Sequence, residues 1–345
     1  YLDAVFHPLL AKSTHEQEGW HYELEQVDAP LIYKGVVFNE MKGVYSSPDS
    51  CLVEYAQRTL FPDTTYGVDS GGDPEHIPDL TWEQLRDFHA RFYHPSNARI
   101  YFYGDDPEEA RLQKMAAWLD TFERRPVDSE VAMQAPFTAP RRVERTYAAG
   151  AEGSDGQNFV TLNWVMAPAT DAEQALTLQI LSHVLIGTTA SPLRKALLDS
   201  GLGDDLAGVG YENHARQTFF STGLRGVAEA GLAQVEPLIL STLQQLADEG
   251  LDPKTIAASL NTVEFALREN NSGSYPRGLV VMLRALTTWI YEGDPLAPLQ
   301  FEAPLARLKE RLANGERVFE KLIDQYFLQN VHSSTLVLKP DPALA

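Results

Sequence analysis

The sequence predicts an α+β protein organised as two domains of related plan, and three observations carry that expectation. Segments with helical periodicity alternate irregularly with short β-rich runs along the 345 residues. A helix–turn–strand pattern occurs twice. Glu83-Gln84-Leu85-Arg86-Asp87 leads through a helix to Pro95-Ser96-Asn97 and the strand Ile100-Tyr101-Phe102. Glu320-Lys321-Leu322-Ile323-Asp324 leads likewise to His332-Ser333-Ser334 and Leu336-Val337-Leu338, as two copies of one α+β domain would. Between the copies, residues 123–142 carry Pro126, Pro136 and Pro140 with little periodicity, the mark of a linker. The expected division is a first domain over 1–125, a linker over 126–141 and a second domain over 142–345.

Taken in order, residues 1–12 read as helix and Glu18 to Leu24 alternates as a short strand. Helices over 33–45 and 49–60 are separated at Pro48, which breaks the pattern, and Asp49 can cap the second. A Gly-, Asp- and Pro-rich loop runs from Phe61 to Asp79, longer than a simple connector. Thr81 caps an amphipathic helix through Tyr93, with Trp82, Leu85, Phe88 and Phe92 at helical spacing. A strand over Ala98 to Tyr103 and a helix over 107–123 complete the first part.

Beyond the linker, strands are expected near 142–148 and 158–166 and helices near 171–187 and 191–199. Strands near 206–212 and 217–227 precede helices at about 232–249, 253–269 and 276–291. Further helix follows to about 329, then a last strand, Thr335 to Leu338. The chain opens on Tyr1-Leu2-Asp3-Ala4-Val5-Phe6, which reads as mid-helix without a cap or signal peptide, and a fragment with further sequence upstream is the expectation.

Composition excludes several classes of function. A net charge of -20 argues against nucleic acid as a partner, because a polyanion is repelled across such a surface, while basic peptides would be attracted. The single cysteine, Cys51, permits no intramolecular disulfide and fits a reducing compartment. No run of about 18 apolar residues occurs, so no membrane span is expected.

Most chemistry-bearing groups have an ordinary reading. His15, Glu18 and His21 cluster, yet Gly19 stands where a second metal-ligating His is needed, so packing or hydrogen bonding is the better role. His89 and His94 lie five apart and point to different helix faces. The Gly67 to Pro74 loop could cradle an anion through its N–H groups but has no Lys or Arg beside it, and a structural turn is expected. No G-x-S-x-G elbow occurs, and Cys51 has no local base. Arg194 reads as helix packing, and the polar run from Arg268 to Pro276 as capping and turn chemistry.

Several blocks, in order and covering nearly the whole chain, resemble the pitrilysin/insulinase family of metallopeptidases, specifically its presequence-protease subfamily. They begin with Gln17-Glu18-Gly19-Trp20-His21-Tyr22-Glu23-Leu24 and with Tyr33-Lys34-Gly35 through Asn39-Glu40-Met41-Lys42-Gly43. Tyr66-Gly67-Val68-Asp69-Ser70-Gly71-Gly72-Asp73-Pro74 and Tyr93-His94-Pro95-Ser96-Asn97-Ala98-Arg99 follow. Later blocks are Ala190-Ser191-Pro192-Leu193-Arg194-Lys195, Ser200-Gly201-Leu202-Gly203 and Arg268-Glu269-Asn270-Asn271-Ser272-Gly273-Ser274.

The resemblance implies two bowls that close around unfolded peptides, each made of two homologous α/β sandwich domains, with this chain most of the first bowl and its first domain incomplete. It implies a zinc cofactor held by two His of an H-x-x-E-H helix, whose Glu is the base, and by a downstream glutamate that maps onto Glu40. Neither H-x-x-E-H nor H-E-x-x-H occurs here, so the catalytic base is expected upstream of Tyr1 and Glu40 is the one metal ligand expected in the chain. The chemistry asks for such a third ligand, since two His on one helical turn leave a catalytic zinc short of its three protein ligands.

The expected activity is that of a zinc metalloendopeptidase acting on unstructured peptides such as cleaved presequences, with this chain inactive by itself. Its partners would be those peptides, the missing N-terminal segment and the C-terminal half of the same enzyme. The compartment would be the cytoplasm of a bacterium or the mitochondrial or plastid matrix of a eukaryote. A catalytically dead structural or partner-binding relative of the same fold is the alternative, and a peptide-binding module without hydrolysis a third. No substrate-binding residue is identified.

Overall fold

A computed structural model describes residues 1–149, 157–270 and 272–344. In chain order the first elements are α1 (Leu2–Phe6), α2 (Lys12–Glu18), β1 (His21–Glu23), β2 (Ile32–Lys34), α3 (Val36–Tyr45), α4 (Pro48–Leu60), α5 (Trp82–Phe92) and α6 (Glu108–Leu119). Then come β3 (Arg141–Ala148), β4 (Asn158–Pro168), α7 (Ala172–Ile186), α8 (Pro192–Asp199), β5 (Asp205–Glu212), β6 (Gln217–Val227) and α9 (Leu232–Glu249). The chain ends with α10 (Pro253–Glu269), α11 (Arg277–Trp289), α12 (Glu302–Ala313), α13 (Val318–Ile323) and β7 (Ser333–Asp341). Two compact units result: Tyr1–Val44 with Asp69–Val131, and Tyr45–Val68 with Ala132–Ala345.

The larger unit is an α+β sandwich. Its five-stranded sheet has the order β3-β7-β4-β6-β5. β7 runs parallel to β3 and antiparallel to β4, and the β4–β6 and β6–β5 pairs are antiparallel. Alternation along β4 sends Val160, Leu162, Trp164 and Met166 into the main core with α7, α8, α9 and α13. The opposite face is covered by α4, whose Cys51, Leu52 and Ala56 pack with Tyr147, Phe159, Leu336 and Leu338. Both faces of β4 and β6 are therefore buried almost throughout, and Thr161, Asn163, Thr218, Ser221 and Thr222 are buried there among the apolar side chains.

Several buried polar groups on the α4 side have partners, although Asn163 Oδ1 has none among the described residues. Asn163 donates to the Ser334 carbonyl at 3.2 Å, and the Thr59 and Ser334 hydroxyls meet at 2.9 Å. The His332 ring reaches the Leu60 carbonyl at 2.9 Å and packs at a tilt against Phe137, ring centres 4.1 Å apart. On the other side the Trp164 indole donates to the Phe327 carbonyl at 3.0 Å. α4 begins as its sequence directs, with Pro48 in the first turn, but the cap is the Ser47 side chain and not Asp49.

The smaller unit has only a two-stranded antiparallel sheet, β1 with β2, and its buried apolar side chains are Phe38, Met41 and Ile77. Much of its packing is aromatic: Phe6 meets Trp118 and Phe122 at 5.2 and 5.9 Å between ring centres. Thr81 and Gln84 form a reciprocal capping box at the start of α5.

Three expectations are corrected. Residues 1–12 are not one helix: α1 stops at Phe6, and Pro8 and a left-handed Leu10 (φ 42°) precede α2. α2 extends through Glu18, so the first strand is shorter than the alternation from Glu18 to Leu24 suggests. Ala98 to Tyr103 forms no strand, because no other strand of the smaller unit lies alongside it among the described residues. The aperiodic stretch over 126–141 is partly anchored. Gln134 is buried, accepts from the Asp63 N–H at 2.9 Å and donates its own N–H to the Gln217 side chain at 2.7 Å.

Candidate functional site

Glu40 lies in the middle of α3, and the backbone before it fixes where that helix starts. Gly35 has φ +148°, and a Cβ there would come within 2.2 Å of the Gly19 carbonyl oxygen. Only glycine allows this approach. The Phe38 N–H then donates to the same Gly19 oxygen at 3.3 Å, tying the first turn of α3 to the end of α2. Phe38 and Met41, three apart, turn inward, while Asn39 and Glu40 are exposed. Gly43 meets no such demand, since a Cβ there would face open space.

The hairpin beside α3 is an aromatic and charged patch. Tyr33 packs on Phe38 and on Tyr22 with ring centres 5.8 and 5.1 Å apart, and Trp20 donates its indole N–H to the Leu80 carbonyl at 2.9 Å. Lys34 holds Glu23 and Glu25 at 2.8 and 2.9 Å. The hydrogen bond from Lys34 pulls the Glu23 carboxyl below its usual range, and the Glu23 and Glu25 carboxylates raise the Lys34 ammonium. The lysine nearest this hairpin is thus already neutralised.

Most of the other sequence candidates have local partners, whereas Arg194 Nε and Asn270 Oδ1 are buried without one among the described residues. His15 and Glu18 lie on α2, and the His21 ring is hydrogen-bonded to the Glu16 carbonyl at 2.7 Å. His89 reaches the Val5 carbonyl at 2.8 Å, and His94 accepts from the Ser96 N–H at 3.1 Å. In the glycine loop, Asp69 takes the Gly71 N–H on its side chain at 2.7 Å and the Gly72 N–H on its carbonyl at 3.2 Å. Those donors are therefore spent within the turn. Arg268 is clasped by Glu264 at 2.8 and 3.0 Å, Asn270 is a left-handed cap of α10, and Asn271 lies outside the described residues. Cys51 is buried, and burial raises its thiol pKa, so it is a poor nucleophile.

A catalytic zinc needs three protein ligands. Among the described residues no group of three His, Cys, Asp or Glu could hold a metal ion. The described residues therefore make no complete zinc centre, and Glu40 offers a single exposed carboxylate. Arg284 on α11 was not anticipated from the sequence. Its signal there is one guanidinium following the apolar run Leu279-Val280-Val281-Met282-Leu283.

Comparison with known proteins places this architecture. The chain is 48% identical over 353 aligned residues to presequence protease 1, chloroplastic/mitochondrial, of Arabidopsis thaliana, covering 100% of the chain and 33% of that relative. It is 38% identical to the mitochondrial presequence protease of Mus musculus, covering 99% of the chain and 33% of the relative. The chain thus spans about a third of the length of the curated relatives it matches. In structure it is similar to a protease from Helicobacter pylori, with a TM-score of 0.66 and 17% identity over 88% of this chain and 70% of that one, a likeness of fold alone. The family model described as "Peptidase M16 inactive domain" matches residues 79–263, more than half of the sequence. With that match and an α+β sandwich shared with a solved protease, the chain belongs to the M16, pitrilysin-type, peptidase family.

Proposed function

We propose that this chain is part of a zinc metalloendopeptidase that hydrolyses unstructured peptides, cleaved presequences among them, inside a closed chamber. The observation that carries the reading is 48% identity, across the whole chain, to a protein named a presequence protease. Glu40 is the metal ligand this chain contributes, exposed on a helix whose start is set by Gly35. The other ligands and the base come from parts of the enzyme outside this chain. Bound zinc would acidify a water and polarise the scissile carbonyl. Glu40 itself supplies charge and one donor atom, and the chain alone is inactive.

Unstructured peptides are the substrates and the remainder of the enzyme is the partner. The compartment is a mitochondrial or plastid matrix, or the cytoplasm if the source is bacterial, in keeping with the names of the relatives. No helix among the described residues is long and apolar enough to cross a membrane.

The test has two arms. The chain alone should hold well under one zinc per molecule by elemental analysis and leave a fluorogenic presequence-like peptide uncut. Stoichiometric, tight zinc in the chain alone would overturn the incomplete-site reading. In the full-length enzyme, Glu40→Gln should lower zinc content and cut the hydrolysis rate at least ~100-fold, the scale of a lost metal-centre interaction. A full-length enzyme without zinc or activity to begin with would instead be a structural relative of the same fold.

A further inference from the structure

The helical layer of the larger unit encloses a cavity of about 460 Å³ bordered by α7, α10, α11 and the start of α12. Its walls are largely apolar, with Leu176, Leu267, Val280, Leu283, Phe301 and Pro304. The amides of Gln179, Asn213 and Gln300 border the same space, and so does Arg284. Among the described residues no Asp or Glu lines it, in a chain that carries 48 of them against 28 Lys and Arg.

Four other arginines of this unit are matched with carboxylates, and Arg317 with the Ala247 and Asp248 carbonyls. Arg142 meets Glu236 at 2.9 Å, Arg225 meets Asp205 at 3.1 Å, Arg307 meets Glu173 at 2.6 Å and Arg311 meets Glu316 at 2.7 Å. The Arg284 guanidinium has no ion pair, hydrogen bond or ring partner among the described residues. Burial lowers its pKa, and no neighbouring carboxylate acts against that shift. A guanidinium partly withdrawn from water and unmatched is disfavoured until an anion meets it. Its planar fork suits a carboxylate, which it can hold through two parallel hydrogen bonds.

We propose that this cavity binds the C-terminal end of a short apolar peptide, with Arg284 holding the terminal carboxylate and Leu176, Leu267 and Phe301 enclosing the last side chain. The amides of Gln179, Asn213 and Gln300 supply the donors and acceptors that a peptide bond needs and an aliphatic tail does not. Neither zinc nor hydrolysis is required, so the inference stands apart from the activity proposed above.

Isothermal titration of the full chain with N-acetyl-Leu-Phe, its C-terminal amide and octanoate tests it. The peptide acid should bind at least tenfold more tightly than the amide and than octanoate. Arg284→Gln should erase the acid–amide preference, and Arg284→Lys should retain part of it, with circular dichroism and melting unchanged in both. Equal or absent binding of acid and amide would overturn the proposal. So would octanoate binding as tightly as the peptide acid, or a folded Arg284→Gln variant that keeps the preference. The acid–amide comparison on the unaltered chain decides the matter even where a variant folds poorly.

Discussion

The segment from α13 to β7 and the segment from α5 to Tyr103 follow one plan, yet only the first contains a strand. In the larger unit, Leu336 and Leu338 are fully buried against α4, and Val337 points into the helical core. β7 has β3 on one side and β4 on the other. In the smaller unit, Ile100-Tyr101-Phe102 has no strand alongside it among the described residues, and Phe102 and Tyr103 remain 38% and 60% exposed. Apolar β-prone residues do not make a strand by themselves. Ordering a residue's backbone costs about 1–2 kcal/mol, and the ladder and the buried face must offset it.

That contrast can be broken most sharply with proline. Val337→Pro removes a ladder hydrogen bond from a strand flanked on both sides and should abolish the cooperative urea transition of the larger unit, read by far-ultraviolet circular dichroism. Tyr101→Pro in the unpaired counterpart should leave that transition in place. A Tyr101→Pro chain as damaged as Val337→Pro would mean that the unpaired segment is a strand in solution.

Truncation is the next test in size. Leu336→Ala should destabilise the larger unit by about 2–5 kcal/mol, since the site is closed on every side, while Ile100→Ala should stay below about 1 kcal/mol. Thr81→Ala comes after it, at about 1 kcal/mol, because the capping box acts within α5 and needs no sheet. Its effect should fall on the smaller unit alone, read as increased amide exchange in residues 82–92.

The smallest expected effect is a pH dependence. Burial holds the His332 ring below its usual range, with the Arg141 charge acting the same way and the Leu60 hydrogen bond opposing. The folded value lies below the unfolded value of about 6.5, so the folded state favours the neutral ring. Its contribution is fully present above that pH and is lost as the pH falls below it. Denaturant midpoints should therefore decline from pH 7.5 to 5.0, and His332→Gln, whose amide nitrogen can take the place of Nε2 at the Leu60 carbonyl, should flatten part of the decline.

Local signals were legible where the element is made by its own residues. The Thr81 cap, the break at Pro48 and the apolar spacing of α5 read directly from the sequence, and so did the positions of β4 and β6. Ala98 to Tyr103 did not, because strand formation depends on neighbours that a local pattern does not contain. The site divides the same way. That Glu40 sits on a helix was readable, whereas its exposure and the approach of Gly35 to Gly19 belong to the folded chain. Arg284 stayed hidden because a missing carboxylate partner is a property of three-dimensional surroundings.

The order of the sheet carries a consequence for synthesis. β7 comes from the far end of the unit's sequence and lies between β3 and β4, which are near its beginning. While a ribosome is still adding the intervening helices, the facing edges of β3 and β4 lack the strand that joins them. The sheet can close only after the segment Ser333–Asp341 has emerged from the exit tunnel. For most of its synthesis the nascent unit therefore carries two strand edges that the finished sheet closes, the surfaces through which unfinished chains stick to one another.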